Sequence, residues 1–524
     1  MKWASTSISF FLLFIFFIQE GLLLATTPLE LVENYRTSKN ILFAATVGGS
    51  THVNWVLSIL KELEQRGHNV TFVTKDDHVR FGKKLDINTI TIGSATVQKD
   101  DTIKKDNAHL NPRIVMSTLI GQIVNAYPSE YLALKDIMKL QQIDLAICDH
   151  FVDPCIEAAL FHKIPFVITA TLAITPDAQA SYISKSISLY GVHNQQISLF
   201  ERIYHNYLFT VSLLWNHFDT LMSVGKTKAD LGLQSSMDTM ATWKDSLKLI
   251  NTAFGLENAR PLGPLVEFIG PILPRTYTPL TDAYQAFLDH HPKTIYIAFG
   301  QNAVASLLDR RLLWTTLFTL IESGDIDGII WVDKQFNTIL DNTFTITTLE
   351  KKVTYSLSDI AHSPHVFITS WAPQVAILHH SSIIAFLTHG GAGSLHEALF
   401  AAKPMAVFPF VGDQLGLAHN IEYQQLGVYI NRDDSSNSIT KSIRQLLNNE
   451  AIRKNVKRYS ALVQIHSKHG VTRGADLIEE VLFTYDPEKG LHHRYEASRS
   501  MNVFVKYNMD VYSIIILVDN YMHI

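Results

Sequence analysis

Short apolar runs alternate with stretches of helical periodicity along most of this chain, and they do so in two separate series. The first begins at Ile41–Thr46, a β-rich apolar run closed by Val47-Gly48-Gly49-Ser50-Thr51. Val56, Ile59, Leu60 and Leu63 then recur at the three-and-four spacing of one buried helix face. Gly67 ends that helix as a C-cap, and Val70–Val73 opens the next strand. Leu145–Cys148 reads as a further buried strand. The second series starts at Thr294–Phe299 and continues through a helix to about Ser323. Strand-like runs follow at Gly328–Val332, Val366–Trp371, Ile383–Thr388 and Met405–Phe410. Between the two series, residues 258–271 are rich in Pro and Gly, and residues 274–281 carry no periodicity. Two βα series predict an α/β protein with two Rossmann-like domains facing a central cleft, the GT-B arrangement.

Composition narrows the function. A chain of 524 residues suits two domains, and 47% apolar with 18% charged residues excludes disorder as the main state. A net charge of −5 without a long basic run argues against a nucleic-acid partner. The two cysteines, Cys148 and Cys155, have a spacing open to a redox pair but read as structural thiols. Lys2, the apolar run Ile8–Ile18 and small residues near Ala25 predict a signal peptide over residues 1–25, and hence the secretory pathway. The sequon Asn69-Val70-Thr71 falls in a predicted strand and is expected to stay unmodified. Near the end, the apolar run Val511–Val518 is far shorter than the roughly 20 residues of a spanning helix, which leaves peripheral membrane contact as the expectation. The apolar, aromatic stretch from about Tyr182 to Leu221 reads as mostly buried helices, some of whose residues could line an acceptor pocket.

The first series places two candidate catalytic groups on one rim. His52 starts the first predicted helix, just past the carboxyl end of the first strand, and Asp149 follows strand Leu145–Cys148. Open α/β sheets place ligands at strand carboxyl ends. An alcohol attacks well only if a base with a pKa near neutral takes its proton, and a carboxylate fixes the tautomer of such an imidazole. Asp153 is a rival for Asp149 but lies further from the strand end. The glycines here do not spell GxGxxG, which disfavours a nicotinamide or flavin enzyme.

The second series carries a denser constellation. Trp371 can present a ring to a base, and Gln374 offers both a donor and an acceptor. His389-Gly390-Gly391-Ala392-Gly393-Ser394 joins a strand to a helix, where glycines admit a phosphate and the opening helix offers unpaired N–H groups. Glu397, one turn into that helix, suits two ribose hydroxyls. Asp413 and Gln414 suit adjacent sugar hydroxyls, and Gly300 with Gln301 lies on the neighbouring loop. Asp325-Ile326-Asp327 is a DxD, but at the amino end of a strand, and reads as a turn. The expectation is therefore that no metal and no cofactor is held.

The stretch from Ser370 to Gly427, SWAPQVAILHH through FLTHGGAGSLHEALFAAKPMAVFPFVGDQLGLAHNIEYQQLG, resembles the donor-binding signature of the UDP-glycosyltransferases. The resemblance implies that Trp371 stacks on uracil, that His389 meets the β-phosphate, and that Asp413 and Gln414 hold the sugar, with glucose favoured. It also implies a final helix crossing back to the first domain. The expected organisation is an acceptor domain over 36–272, a linker over 273–283, a UDP-sugar domain over 284–475, the crossing helix over 476–490 and a juxtamembrane-like tail over 491–524. The function expected is inverting, metal-independent hexose transfer from a UDP-sugar to a small lipophilic alcohol, with His52 as base. The expected site is the endoplasmic reticulum lumen or its membrane, and a homo-oligomer is compatible. A UDP-sugar epimerase or hydrolase, or a non-catalytic nucleotide-sugar-binding protein, are the alternatives.

Overall fold

The computed structural model describes residues 34–96, 112–184, 190–208, 211, 212, 215, 218–234, 242–301, 303–336 and 343–522. The expected signal peptide lies outside the described residues. Met1–Thr37 forms one unit, and Ser38–Ile524 forms the other, which holds everything considered below.

Seven strands build the first sheet: β1 Asn40–Ala44, β2 Asn69–Thr74, β3 Thr89–Thr91, β4 Leu145–Asp149, β5 Phe166–Ala170, β6 Leu247–Ile250 and β7 Val266–Phe268. Their spatial order is β3-β2-β1-β4-β5-β6-β7, and every pairing is parallel. Helices α1 (Ser50–Gln65), α2 (Pro112–Leu140), α3 (Asp153–His162) and α4 (Phe218–Asp230) accompany it. Parallel strands covered on both faces need continuous apolar sequence, and β1 and β4 are buried almost throughout. Chain order reverses between β1 and β4, so the loops after these two strands part and leave a crevice at their carboxyl ends.

The second sheet repeats the plan. It contains β8 Thr294–Ala298, β9 Gly328–Val332, β12 Val366–Thr369, β13 Ile383–Thr388, β14 Met405–Val407 and β15 Gly427–Tyr429, while β10 Thr345–Thr347 and β11 Thr354–Ser356 pair apart from it. The order β12-β9-β8-β13-β14-β15 is all parallel and reverses between β8 and β13. The helices that matter are α5 (Leu307–Glu322), α6 (Gln374–His379), α7 (Ala392–Phe400) and α8 (Gln414–Tyr423). Helix α9, Glu450–Thr484, joins the lobes. Its Ile452, Val456 and Val463 enter the second core, and its Ala475, Leu477, Ile478 and Val481 enter the first. Arg66, at the end of α1, grips its far end through Asp476 at 2.8 Å and Glu479 at 2.6 Å.

Several expectations need correcting. Cys148 and Cys155 are not free thiols: they form a disulfide, because the turn from β4 into α3 brings their Cα atoms to 5.8 Å. The stretch around Tyr182–Leu221 is not mostly buried. Among its described residues Phe200 is 71% and Trp215 81% exposed, together with exposed Leu199, Tyr207 and Phe218. Apolar composition marks a surface to be covered without saying by what. Trp371 does not end a strand; it stands two residues beyond β12. Asn69 opens β2, where it is exposed and donates to Asn40 Oδ1. Among the described residues no helix is long and apolar enough to cross a membrane, and Val511–Val518 lies within an exposed helix α10, Met509–Met522.

Candidate active site

The reversal in the first sheet delivers His52 and Asp149 to the same point. Asp149 ends β4 almost fully buried, and His52 sits in the first turn of α1, after the adjacent β1. Asp149 Oδ2 lies 3.0 Å from His52 Nδ1. A carboxylate only accepts, so Nδ1 carries the proton and Nε2 is the basic atom. Burial opposes the charge on His52, but the Asp149 charge and hydrogen bond, with Asp413 beyond, outweigh it and raise the imidazole above its ordinary value. Asp149 pays a burial penalty too, yet the flanking His52 and His150 hold it well below the usual carboxylate range. Asp153 is engaged elsewhere, with its Oδ2 2.7 Å from both Tyr127 Oη and Lys228 Nζ, which ties α2 and α4 to α3.

Two residues that sequence reasoning missed flank this pair. His150 stacks on His52 at 5.3 Å and Phe151 at 5.1 Å, while the Phe151 N–H donates to Asp149 Oδ1. Their position directly after Asp149 was the available signal, but nothing in the sequence shows that the turn folds them back over the first lobe's leading helix.

The second sheet places its residues at the matching reversal. Gly300 and Gln301 follow β8, and His389 follows β13. A Cβ on Gly300, whose φ is +76°, would lie 2.9 Å from the His389 ring, and one on Gly391 would lie 2.5 Å from its Nε2, so both must be glycine. Burial pushes the His389 pKa down to about 4, opposed by a hydrogen bond to the Ala298 backbone, and the ring is neutral near pH 7. Helix α7 begins at the N-cap Gly391, whose residue type offers no side-chain cap, and the same holds for Gly49 at α1. Both helices therefore present unpaired N–H groups at their starts.

Gln374 differs from expectation. Its Oε1 accepts from Tyr296 Oη, and its amide nitrogen donates to Glu397 Oε2 at 2.8 Å and to Ser394 Oγ at 3.3 Å. A half-buried amide satisfies itself locally, so this side chain orients Glu397 instead of presenting two open groups to a base. Burial raises the Glu397 carboxyl, against the Gln374 bond. Trp371 is 60% exposed, while its carbonyl is fixed by Tyr284 Oη and Thr369 Oγ1, both at 2.8 Å. Gln414 is likewise half engaged: its Oε1 accepts from the backbone N–H groups of Phe410 and Val411, leaving the amide nitrogen for a ligand. Asp413 is raised by burial and lowered by His52 and His150 across the gap.

The two rims face each other. A Cβ on Gly393 would lie 2.9 Å from Thr51 Oγ1, and one on Gly49 would lie 3.4 Å from Gln301 Oε1. The uncapped starts of α1 and α7 thus converge, with His52 and Asp149 on one side and His389, Gly391 and Asp413 on the other. Among the described residues, one group of potential metal ligands converges, His52, Asp149 and His150, with ligand atoms within 4.8 Å. The Nδ1 atoms of both rings are already bonded, to Asp149 and to the Thr169 carbonyl. The DxD is engaged as well: Arg444 binds Asp325 at 2.7 Å, and Asp327 accepts from the Lys293 N–H.

Two doubly wound sheets closing a cleft at their reversal points make the GT-B fold, and solved structures agree on it. The glycotransferase of kitacinnamycin superposes with a TM-score of 0.60 at 17% identity, covering 85% of this chain and 99% of that one. A UDP-glucosyltransferase from Polygonum tinctorium, capable of glucosylating indoxyl, gives 0.58 at 17% identity, with 85% and 99% coverage. Residues 338–513 match the family described as UDP-glucoronosyl and UDP-glucosyl transferase. A UDP-glycosyltransferase of Talaromyces amestolkiae is 28% identical over 91% of this chain and 95% of its own length. UDP-glucuronosyltransferase 1A6 of Homo sapiens is 23% identical over 68% of this chain and 62% of its own. The family match over residues 338–513 and the relatives matched along most of the chain support a glycosyltransferase that moves a sugar from a UDP-sugar to an acceptor.

Proposed function

We propose that this enzyme inverts the anomeric centre, needs no metal, and moves a hexose, glucose foremost, to the hydroxyl of a small lipophilic acceptor. The observation that carries this reading is the 3.0 Å His52–Asp149 pair opposite the uncapped start of α7. His52 Nε2 takes the acceptor proton as its oxygen attacks the anomeric carbon, and Asp149 stabilises the imidazolium. UDP leaves from the opposite face, its charge met by the α7 N–H groups and by His389. The Trp371 ring offers a stacking face for uracil, and Glu397 with Gln374 converges on the ribose hydroxyls. The acceptor then lies against the first lobe. Asp413 and the Gln414 amide nitrogen suit the sugar, and the glucosylating relative from Polygonum tinctorium favours glucose. The test is the anomeric configuration of the product by NMR: a β-linked product from the α-linked donor is expected, and an α-linked product would refute the mechanism.

Metal independence has its own measurement. Turnover in excess EDTA is expected to equal turnover without it, and restoration by added Mg²⁺ after a loss would overturn the proposal.

The neutral state of His389 predicts proton uptake on UDP binding. An anionic diphosphate beside the ring raises its pKa above the value of about 4 set by burial. Between the free and bound values the complex gains a proton, so UDP affinity rises as pH falls through the bound value and levels off near the free one. Calorimetry in buffers of different ionisation enthalpy measures that uptake directly, and His389→Ala is expected to remove it.

Delivery to the secretory pathway, at the endoplasmic reticulum membrane, is proposed with the rest. Exposed Phe200, Tyr207 and Trp215 in the first lobe, and Ile514–Val518 in α10, support contact with lipid. Flotation of the protein with liposomes tests it.

A further inference from the structure

We propose that Asn69 is an N-glycosylation site, and that the first N-acetylglucosamine of its glycan seats in a polar cleft beside it. This rests on the reading that delivers the chain to the secretory pathway. Asn69-Val70-Thr71 is the one Asn-x-Ser/Thr sequon in the 524 residues. Its place in a strand is no barrier, because the sugar is added while the chain is still extended, and the fold need only leave the residue at the surface. Asn69 is the first residue of β2, paired with Asn40, the first of β1, while β3 joins the sheet only at Phe72. It is exposed at the amino end of the sheet, the end opposite the reaction cleft. Its backbone N–H donates to the Lys39 carbonyl at 2.8 Å, and its Nδ2 donates to Asn40 Oδ1 at 2.9 Å. One amide proton is engaged there, and the other is the one that modification replaces.

Asn69 lines a cleft of about 450 Å³, a size within the range of small-ligand sites. Asn40, Asn88, Gln141 and Gln142 also line it, and His68 adds a ring. Asn88 Nδ2 donates to Thr71 Oγ1 at 3.1 Å, and Asn40 Nδ2 donates to the carbonyls of Gln141 and Gln142, which fixes the wall. His68 is 3% exposed. Its Nε2 lies 3.0 Å from Glu479 Oε1 in α9, and its Nδ1 has no partner among the described residues. A buried ring nitrogen without a partner is costly, and a sugar hydroxyl, which both donates and accepts, satisfies it in either tautomer. Glu64, the carboxylate of the wall, is paired with Lys61 at 2.5 Å. The cleft thus offers neutral hydrogen-bonding groups, which suit an N-acetylhexosamine better than a phosphate or a cation. In the modification the Asn69 amide nitrogen bonds C1 of the first sugar of a polyprenyl-diphosphate oligosaccharide. The C1–O bond to the diphosphate breaks, and the amide proton is released.

The test is the full chain made in eukaryotic cells, once as it stands and once with an established secretory leader in place of residues 1–25. Both products are expected to lose mass on treatment with peptide-N-glycosidase F, and peptide mass spectrometry is expected to find the sugar on Asn69. Modification of the leader-led chain alone would sink the secretory reading and leave the site standing. A secreted leader-led chain with bare Asn69 overturns the site. Seating is read by melting. Endoglycosidase H trims the glycan to its first N-acetylglucosamine, and tunicamycin yields the same chain with Asn69 bare. The trimmed form is expected to melt about 2–3 °C above the bare one, the scale for two or three added hydrogen bonds in a chain of this length. Equal melting temperatures would mean that the sugar stands in solvent, and would overturn the seating. Both forms, and Asn69→Gln, are expected to share one kcat/KM, because the sheet separates Asn69 from the reaction cleft.

Discussion

Replacing His52 by alanine is expected to lower kcat by about 10²- to 10⁴-fold, the range for losing a positioned general base. UDP should bind as before, because the proposed donor groups, Trp371, Glu397 and the α7 N-terminus, all belong to the other lobe. Asp149→Asn should approach the same loss by a different route, since an amide can turn a donor toward Nδ1 and favour the wrong tautomer. The pH profile has a definite sign. As the proposed base, His52 acts unprotonated, and Asp149 raises its pKa, so kcat/KM is expected to fall as pH drops through that raised value. Stopped-time product assays and UDP calorimetry on the same variants separate the two effects. A His52→Ala enzyme turning over near the wild-type rate would end the mechanism.

The second large effect is expected at Glu397. Its carboxylate is held by Gln374 at 2.8 Å and aimed from the first turns of α7, beside the proposed diphosphate. Two charge-assisted bonds to ribose hydroxyls are worth about 1.5–3 kcal/mol each, and partial compensation by water leaves about a hundredfold in donor affinity. Glu397→Ala should therefore raise the UDP-sugar KM by about that factor, with a smaller change in kcat. Gln374→Ala should move KM in the same direction by less, because it only frees the carboxylate to turn. Unchanged UDP affinity in Glu397→Ala would place the ribose elsewhere.

Periodicity and residue type carried the architecture and the place of most candidate residues on its loops. Strand runs such as Ile383–Thr388 are apolar because a parallel strand is covered on both faces, and that requirement is written locally. The place of His389, the glycines after it and Glu397 at a helix entry was legible for the same reason: a strand end and a helix start are written by residues close in sequence. Partnerships between distant residues were not. Gln374 turning to Glu397, Gln414 turning to its own loop, and Asp153 joining Tyr127 and Lys228 all depend on which elements pack together. The Cys148–Cys155 disulfide and the exposure of Phe200 and Trp215 belong with them.

The amino-acid order alone determined two wound sheets, their cleft-facing loops and the chemistry available on each loop, because those follow from spacing along one strand or one helical turn. Only the folded chain decided that His150 and Phe151 cover His52, and that Thr51 meets Gly393 across the gap. Such contacts arise from the angle at which one layer settles on another, and no local pattern of residues encodes that angle.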